Sequence, residues 1–227
     1  SMEAEDPCFT IERNVTTSET VIYGLGDMHL RVILKKMKNR YNVEVDTHPP
    51  KIAYKETITG NAEGHHRHRK QTGGAGQFGE VFLRIAPQER GGGFEFANNT
   101  FGGSIPRQFI PAVEKGVRLV MEQGAIAGYP LQDIKVSVYD GKHHPVDSKE
   151  VAFVAASKKA LIDAIHKAKP VILEPVVQMD IIVPEGNMGD IAGDLSSKRG
   201  RLQGSDTLPG GMLHISAQAP LAELGQY

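Results

Sequence analysis

Two dipeptides that end in proline, Pro49-Pro50 and Glu174-Pro175, interrupt the hydrophobic periodicity of this 227-residue chain. Proline favours extended backbone at the residue before it, so neither a helix nor a strand is expected to continue through these dipeptides. A domain usually holds about 100 to 200 residues, which favours two or three domains for a chain of this length. We therefore predict three domains with separate cores, at residues 1–49, 50–173 and 174–227.

The first predicted domain combines short strands with one helix. Strands are predicted at residues 8–15, 20–23 and 42–46, and the helix at residues 27–40. Apolar residues recur along the helix at the spacing of one face, namely Leu30, Ile33, Leu34 and Met37. Asp27 is the expected N-cap. Three strands and one helix leave one face of the sheet half covered, so we expect further elements of this domain upstream of Ser1.

The second predicted domain contains a hairpin, two helices and one more strand. Strands are predicted at residues 80–86, 93–97 and 133–139. Gly91-Gly92-Gly93 joins the first two strands and is a hairpin signal. The first helix opens with two prolines and ends at a glycine, namely Pro106, Pro111 and Gly124. Asp147 and Glu150 form a capping-box pattern at the start of the second helix. With these strands and helices together, the segment is predicted to be a complete α+β domain.

The third predicted domain begins with a strand and a short helix. The pattern places strands at residues 176–183, 200–204 and 212–219, and a helix at residues 188–197. Pro220-Leu221-Ala222-Glu223 is typical of the start of another helix, close to the last residue, Tyr227. We therefore expect this domain to be truncated and the chain to be a fragment of a longer protein.

Charge and cysteine content narrow the function classes. With 26 basic and 27 acidic residues the net charge is −1, so attraction to a polyanion has to come from local clustering. Cys8 is the single cysteine, which excludes an internal disulfide and every zinc site built from several cysteines. No apolar run approaches the roughly 18 residues of a membrane span, so we expect a cytoplasmic protein.

A glycine-rich segment, Gly74 to Gly79, matches the G-x-G-x-x-G pattern of dinucleotide-binding loops. That mechanism requires a strand before the loop and a helix N-terminus after it, whereas here a basic stretch precedes and a strand follows. A flexible hairpin loop is the favoured interpretation. No G-x-x-x-x-G-K-[ST] loop occurs in the sequence, so GTP binding is not assigned to this chain.

A basic strip, His65 to Lys70, lies in a stretch without acidic residues that runs from Gly64 to Gly79. Three interpretations stay open: a metal site, a solvated strand, or a strip that contacts phosphates. Interleaved arginine and lysine oppose a metal, and a charge run is usually a solvated face. The neighbouring loop, residues 71–79, favours RNA because its glycines expose backbone N–H groups that suit phosphate oxygens.

His143-His144-Pro145 precedes the predicted helix at Asp147. The positive potential of a helix N-terminus favours a neutral imidazole and attracts anions such as phosphate. His144 is then either a donor to a base or ribose, or an ordinary histidine of a surface loop. No nucleophile pattern accompanies it, so the sequence gives no support for general-base catalysis.

Motifs in all three predicted domains resemble elongation factor G, in the order of that family. The first domain carries Gly24-Leu25-Gly26-Asp27-Met28-His29-Leu30, and the last carries Gly189 to Leu195 followed by Arg199-Gly200. The middle domain carries Lys70 to Gly79, Ile110-Pro111-Ala112-Val113, Ala127-Gly128-Tyr129-Pro130 and Val146-Asp147-Ser148. The resemblance implies an α+β fold class: a partial ferredoxin-like domain, a ribosomal-protein-like domain with a left-handed βαβ crossover, and a second partial ferredoxin-like domain.

The resemblance also implies a role in protein synthesis. The chain would be the C-terminal part of a ribosomal translocase whose middle domain enters the A site. GTP and Mg²⁺ would bind in a G domain that this chain lacks, leaving the chain with no catalytic, cofactor or metal site. Its partners would be ribosomal RNA and the tRNA–mRNA complex, and it would be monomeric. The alternatives are a paralogue in ribosome recycling or protection, and an RNA-binding module outside the ribosome.

The same resemblance implies which residues contact RNA. Phosphate contacts are expected from Arg67, Arg69 and Lys70. Two tip loops are expected to contact RNA, with Gln71, Gly73, Gly74, Gly76 and Gln77 in one and Lys142, His143 and His144 in the other. Of these, Gln77 and His144 are expected to contact the codon–anticodon region. Large-subunit RNA is expected to face Lys198, Arg199 and Arg201. The sequence departs from the family at Ala75, where a loop arginine is usual, and at Pro145, where an aspartate is usual.

Overall fold

The computed structural model describes residues 6–71 and 74–225. The chain divides into two compact units, a central unit at residues 54–173 and a second unit that combines the residues up to 53 with those from 174 onward. Both contain helices and sheets, which confirms the predicted mixed α+β fold class. The three-domain boundaries at residues 49–50 and 173–174 stay predictions.

The N-terminal segment of the second unit is a hairpin followed by one helix. Its elements are β1 (Thr10–Asn14), β2 (Glu19–Tyr23) and α1 (Asp27–Tyr41), and β1 pairs antiparallel with β2. Ile33 is buried on the apolar face of α1, as the periodicity predicts. The predicted N-cap is wrong, because Gly26 precedes the helix and Asp27 is its first residue, paired with Arg31 at 3.2 Å.

The strand predicted at residues 42–46 does not form. Asn42 adopts a left-handed conformation, with φ of 53°, at the end of α1. Its N–H donates to the carbonyl of Lys38, and the N–H of Val43 donates to that of Met37. These donors satisfy helix-end carbonyls, so the chain turns where the prediction has it continue as a strand.

The central unit has one four-stranded sheet, one two-stranded sheet and two helices. Its strands are β3 (Lys55–Ile58), β4 (Ala62–Lys70), β5 (Gln77–Pro87), β6 (Phe94–Asn98), β7 (Ile134–Lys142) and β8 (Pro170–Leu173). Its helices are α2 (Ile110–Gln123) and α3 (Glu150–Lys167). The large sheet has the order β4-β5-β7-β6, and β3 pairs with β8. Strand β7 is antiparallel to β5 and parallel to β6.

The predicted hairpin between β5 and β6 is wrong, because β7 lies between these strands. The turn itself is present: Gly91 and Gly93 have positive φ angles of 86° and 72°. Buried Asp133 holds this turn by accepting the N–H of Gly93 at 3.0 Å. A local glycine signal sets where the chain turns, but not which strand it pairs with afterwards. The β6-α2-β7 connection is a parallel crossover, and its left hand stays a prediction.

Helices α2 and α3 cover the apolar face of the large sheet. Helix α2 has proline in its first turn and ends at Gly124, with φ of 77°, as predicted. Small side chains bring α3 close to the sheet, because a Cβ at Gly64 of β4 would overlap the carbonyl oxygen of Ala160 and lie 2.7 Å from Cβ of Ala164. The core joins residues of both helices and of strands β5 and β7, including Val113, Phe153, Leu83 and Val136.

The C-terminal segment of the second unit forms a three-stranded antiparallel sheet and one helix. Its elements are β9 (Val176–Pro184), α4 (Met188–Ser197), β10 (Arg201–Leu208) and β11 (Met212–Pro220), with the strand order β10-β11-β9. Ile215, Ala217 and Ala219 are buried on one face of β11. The helix start predicted at residues 220–223 forms only a 3₁₀ turn, Leu221–Glu223. Within the described residues, none of the helices has the length and apolar character that crossing a membrane requires.

Candidate nucleic-acid interface

Three connections meet at one end of the large sheet, which we call the tip. Strand β5 runs antiparallel to β4 and β7, and β6 runs parallel to β7. The same end of the sheet therefore holds the end of β4, the start of β5 and the ends of β6 and β7. The described residues of the tip are 71, 74–76, 99–106 and 143–149.

A cavity of about 370 Å³ opens at the tip, and we call it the tip pocket. Its lining consists of Arg67, Arg69, Gln71, Gln77, Phe78, Lys142, His143, His144 and Asp147. Residues predicted from both tip loops are therefore brought together in space, although they are separated by more than sixty positions in the sequence. Phe78 and Asp147 were not predicted to belong to this site.

Other predicted contact residues lie outside the pocket lining. Lys70 is one of them, because side chains alternate along a strand and Lys70 is on the face of β4 opposite to Arg67 and Arg69. Gly74 and Gly76 are in the loop but do not line the pocket. Gly73 falls outside the residues that the structure describes.

The glycine-rich segment lies where β4 ends and β5 begins, and these two strands pair antiparallel, with Lys70 opposite Gln77. This confirms the hairpin interpretation of the glycine-rich segment, because a dinucleotide loop would be followed by a helix. A Cβ at Gly76 would lie 2.7 Å from Oδ1 of Asp147, so this glycine lets the two tip loops approach closely.

Phe78 ties the two tip loops together through its backbone. Its N–H donates to the carbonyl of Asp147 at 2.9 Å, and its carbonyl accepts the hydroxyl of Ser148 at 3.0 Å. The ring of Phe78 lies 6.3 Å from the ring of His144. Ser148 thus positions the loop, and the predicted Asp147–Glu150 capping box does not form. Helix α3 begins at Glu150 after Lys149, without a side-chain cap.

His144 is held as a hydrogen-bond donor. Its ring Nδ1 accepts hydrogen bonds from the backbone N–H groups of Val146 and Asp147, at 3.3 and 3.2 Å. The backbone N–H of His144 donates to Oγ of Ser148 at 2.8 Å. A neutral imidazole whose Nδ1 accepts carries its proton on Nε2. With the side chain 51% exposed, Nε2–H is available to an acceptor outside the chain. In the interpretation of His144 as a donor to a base or ribose, Nε2 is therefore the donor atom.

Glu80 is a residue beside the candidate site that the sequence pattern missed. It is buried opposite Arg67, with Oε1 2.6 Å from Nε2 of His65 and Oε2 3.7 Å from Nε of Arg67. Arg67 also lies over the ring of Phe78, with 5.5 Å between Cζ and the ring centroid. The acid-free stretch ends one residue before Glu80, and only the strand register shows that Glu80 contacts the strip. Glu80 offsets part of the positive charge and holds Arg67 beside the pocket.

The histidines of the basic strip have separate surroundings. His65 stacks on Phe82 with 4.1 Å between ring centroids, and Nε2 of His68 lies 3.0 Å from Oε1 of Gln77. Burial, together with the positive charge of Lys159, lowers the pKa of His66. Across residues 6–71 and 74–225 no group of three or more His, Cys, Asp or Glu side chains is arranged to hold a metal ion.

The predicted large-subunit contacts lie in the C-terminal segment. Arg199 donates to both carboxylate oxygens of Glu174, at 2.6 and 3.0 Å, and to Glu223 at 2.9 Å. Hydrogen bonds to Glu174 and then Glu223 raise the pKa of Arg199. Lys198 pairs with Asp194 at 2.5 Å. Arg199 therefore has an internal structural role, while RNA contact by Lys198, Arg199 and Arg201 stays a prediction.

Comparison with known families assigns the chain. Residues 50–169, more than half of the chain, match the family model for elongation factor G, domain IV. The chain belongs to the elongation factor G family. Residues 1–49 match the model for elongation factor G, domain III, and residues 171–227 match the elongation factor G C-terminus. The resemblance predicted from the motifs is therefore confirmed.

Two similar proteins are longer than this chain. It is 47% identical over 219 residues to an elongation factor G-like protein of Thermotoga maritima, covering 96% of this chain and 32% of that protein. A crystal structure from Thermus thermophilus matches with a TM-score of 0.82 and 36% identity, covering 100% of this chain and 34% of that one. The chain spans about a third of the length of each.

Proposed function

We propose that this chain is the ribosome-facing C-terminal part of a monomeric cytoplasmic translocase. Its domain at residues 50–173 enters the A site and promotes movement of tRNA and mRNA. GTP hydrolysis in a G domain outside this chain, where GTP and Mg²⁺ bind, supplies direction. Family membership supports a role in translation, and the absence of a phosphate-binding loop from the sequence agrees with a non-catalytic part.

The tip pocket is the observation that carries this proposal. It combines the cations Arg67, Arg69 and Lys142 with the hydrogen-bonding groups of Gln77 and His144. Cations attract phosphates at long range, whereas amide and imidazole groups make directional bonds to bases and riboses. The arrangement is suited to folded RNA because both kinds of contact are available within one concave surface.

Movement requires no chemical step within this chain. A domain that binds one ribosomal state better than another shifts the equilibrium by its differential affinity. The tip then acts as a wedge that occupies space after the tRNA has moved. Cations govern arrival at the ribosome, and His144 governs the contact made after arrival.

A paralogue that acts in ribosome recycling or protection is the second candidate. Ala75 and Pro145, which replace the usual arginine and aspartate of the tip loops, favour it. An RNA-binding module outside the ribosome is the third candidate. The first two require ribosome binding, whereas the third does not, so sedimentation with ribosomes separates them.

Neutralising the tip charges tests the proposed interface. Cosedimentation of the 227-residue chain with 70S ribosomes is measured between low and moderate salt for wild type and for the triple variant Arg67→Gln, Arg69→Gln, Lys70→Gln. We expect weaker binding and a salt slope reduced by about 1 for each cation that contacts a phosphate.

A matched control removes three exposed cations of the same unit that lie outside the tip, in the triple variant Arg84→Gln, Arg118→Gln, Lys135→Gln. This variant has the same net charge as the tip variant and is expected to bind almost as wild type does. Equal losses in both variants, or no sedimentation of the wild-type chain, would contradict the proposed interface.

A further inference from the structure

Phe101 is the most exposed large hydrophobic side chain in the described part of the protein, with 93% of its surface accessible. A phenylalanine contributes about 150 to 250 Å² of apolar surface when it is buried. Single exposed apolar residues are common, so exposure alone is not a functional signal. The significance of Phe101 comes from the loop that holds it and from its location.

Local hydrogen bonds hold Phe101 within a turn, which we call the Phe101 loop, residues 99–104. Asn98 accepts both the N–H and the hydroxyl of Thr100 through Oδ1, at 3.1 and 2.7 Å. The N–H of Ser104 donates to the carbonyl of Phe101 at 3.4 Å. Gly102 and Gly103 follow with φ angles of 66° and 74°, a conformation that favours glycine. The loop therefore presents the ring from a defined backbone position.

The Phe101 loop lies at the tip. It follows the end of β6, and Nδ1 of His143 lies 3.3 Å from the carbonyl oxygen of Ser104. His143 also lines the tip pocket, so the third tip connection adjoins the proposed RNA-binding surface. No acidic residue occurs between Glu95 and Glu114 in the sequence, and this interval contains Arg107. The Phe101 loop itself therefore carries no negative charge that would repel nucleic acid.

We propose that Phe101 is a stacking platform for an unpaired RNA base at the ribosomal site that the tip enters. This inference rests on the proposed function and adds a contact of a different kind. One flat ring is sufficient for stacking on a base. A protein-binding groove needs several adjoining apolar side chains, whereas Phe101 is flanked in the sequence by threonine and two glycines.

Photo-crosslinking tests which molecule the ring contacts. The 227-residue chain carrying p-benzoylphenylalanine in place of Phe101 is bound to 70S ribosomes and irradiated. We expect crosslinks to RNA. The same photo-reactive group in place of Tyr41, a half-exposed aromatic at the end of α1, controls for unspecific labelling, and the group in place of His144 reports the tip contact itself.

Substitutions test stacking separately. We expect Phe101→Ala to raise the dissociation constant for the ribosome about tenfold, which corresponds to the lower part of the range for one stacked base. Phe101→Tyr keeps a flat ring and is expected to stay within about twofold of wild type. Phe101→Leu keeps an apolar side chain without a ring and is expected to lose affinity as the alanine variant does. Because the ring is exposed, all three should unfold at the wild-type temperature.

The outcomes separate this inference from the proposed function. If the chain sediments with the salt dependence described above and crosslinks to RNA from position 144, but position 101 reaches only protein or nothing, the stacking platform is wrong and the proposed function survives. Full rescue by Phe101→Leu would also overturn stacking. If wild type does not sediment with ribosomes, the proposed function and this inference fail together.

Discussion

The carboxylate of Glu56 is fully buried in the central unit and accepts four backbone N–H groups. The donors belong to Ala125, Ile126, Ala127 and Tyr129, at 2.7 to 3.1 Å. Burial raises the pKa of Glu56, but these hydrogen bonds lower it more, so the pKa lies below its ordinary value of 4.5. One side chain thus fixes the connection between α2 and β7. The sequence pattern gave no role to Glu56.

We expect Glu56→Gln to reduce the free energy of unfolding by about 3 kcal/mol at pH 7. The carboxylate of Glu56 accepts hydrogen bonds from the N–H groups around it. The amide nitrogen of glutamine is itself a donor, so some of these N–H groups would lose their acceptor. Urea denaturation of the chain measures the loss. Glu122→Gln, which changes an exposed glutamate on α2, is the matched control and should unfold as wild type does.

The same variant has a defined pH dependence. Because the folded pKa of Glu56 is lowered, its stabilising contribution is complete above the unfolded value near 4.5 and is lost as the pH falls through the folded value. The difference between wild type and Glu56→Gln should therefore shrink below about pH 4.5. A difference that stays constant from pH 7 down to pH 3 would show that the carboxylate charge is not responsible.

At the scale of elements, the approach of α3 to β4 depends on Gly64. A Cβ there would overlap the backbone of Ala160, which a side-chain rotation cannot relieve. We expect Gly64→Ala to destabilise the central unit by about 3 kcal/mol, the upper part of the usual cost of overpacking. Hydrogen exchange of the amides in α3 measures this locally. Gly74→Ala, where a Cβ meets nothing within 4 Å, is the control, and equal protection in both variants would contradict the packing argument.

Helices were predictable because their apolar spacing is a strong local signal. Helix α4 has the bounds that the sequence predicts, and α1 differs by one residue. For the basic strip that becomes β4, the sequence leaves three interpretations open, because glycine and half-buried histidines occupy the inner side of the strand and no alternation is visible. Strands β3 and β8 have four residues each and were not predicted.

The order of strands required information that local sequence does not contain. The glycine turn after β5 indicates a hairpin, yet β7 takes the position beside β5 because it returns from α2 with an apolar face that joins the core. The same long-range pairing places Glu80 opposite Arg67 and joins Phe78 to Asp147. The basic and histidine segments of the candidate site were therefore predictable, but the residues that hold them together were not.

At the scale of the whole molecule, charge and hydrogen bonding have different proposed roles. In this proposal Arg67 and Arg69 act while the protein approaches the ribosome, because phosphate attraction has a long range. His144 is proposed to act after binding, because its Nε2–H can donate a directional hydrogen bond at short range. In the proposed function the GTPase step belongs to a domain outside this chain, so we expect a change at the tip to affect movement without affecting turnover.

Translocation rate and GTP turnover, measured on the same ribosomes with the full-length protein carrying His144→Ala, test this central claim most directly. We expect translocation to slow at least about tenfold, a barrier change of about 1.4 kcal/mol, while ribosome binding and GTP turnover stay near wild type. His166→Ala, an exposed histidine at the other end of α3, should change neither rate. If His144→Ala lowers GTP turnover as much as translocation, or changes neither, the tip does not act as proposed.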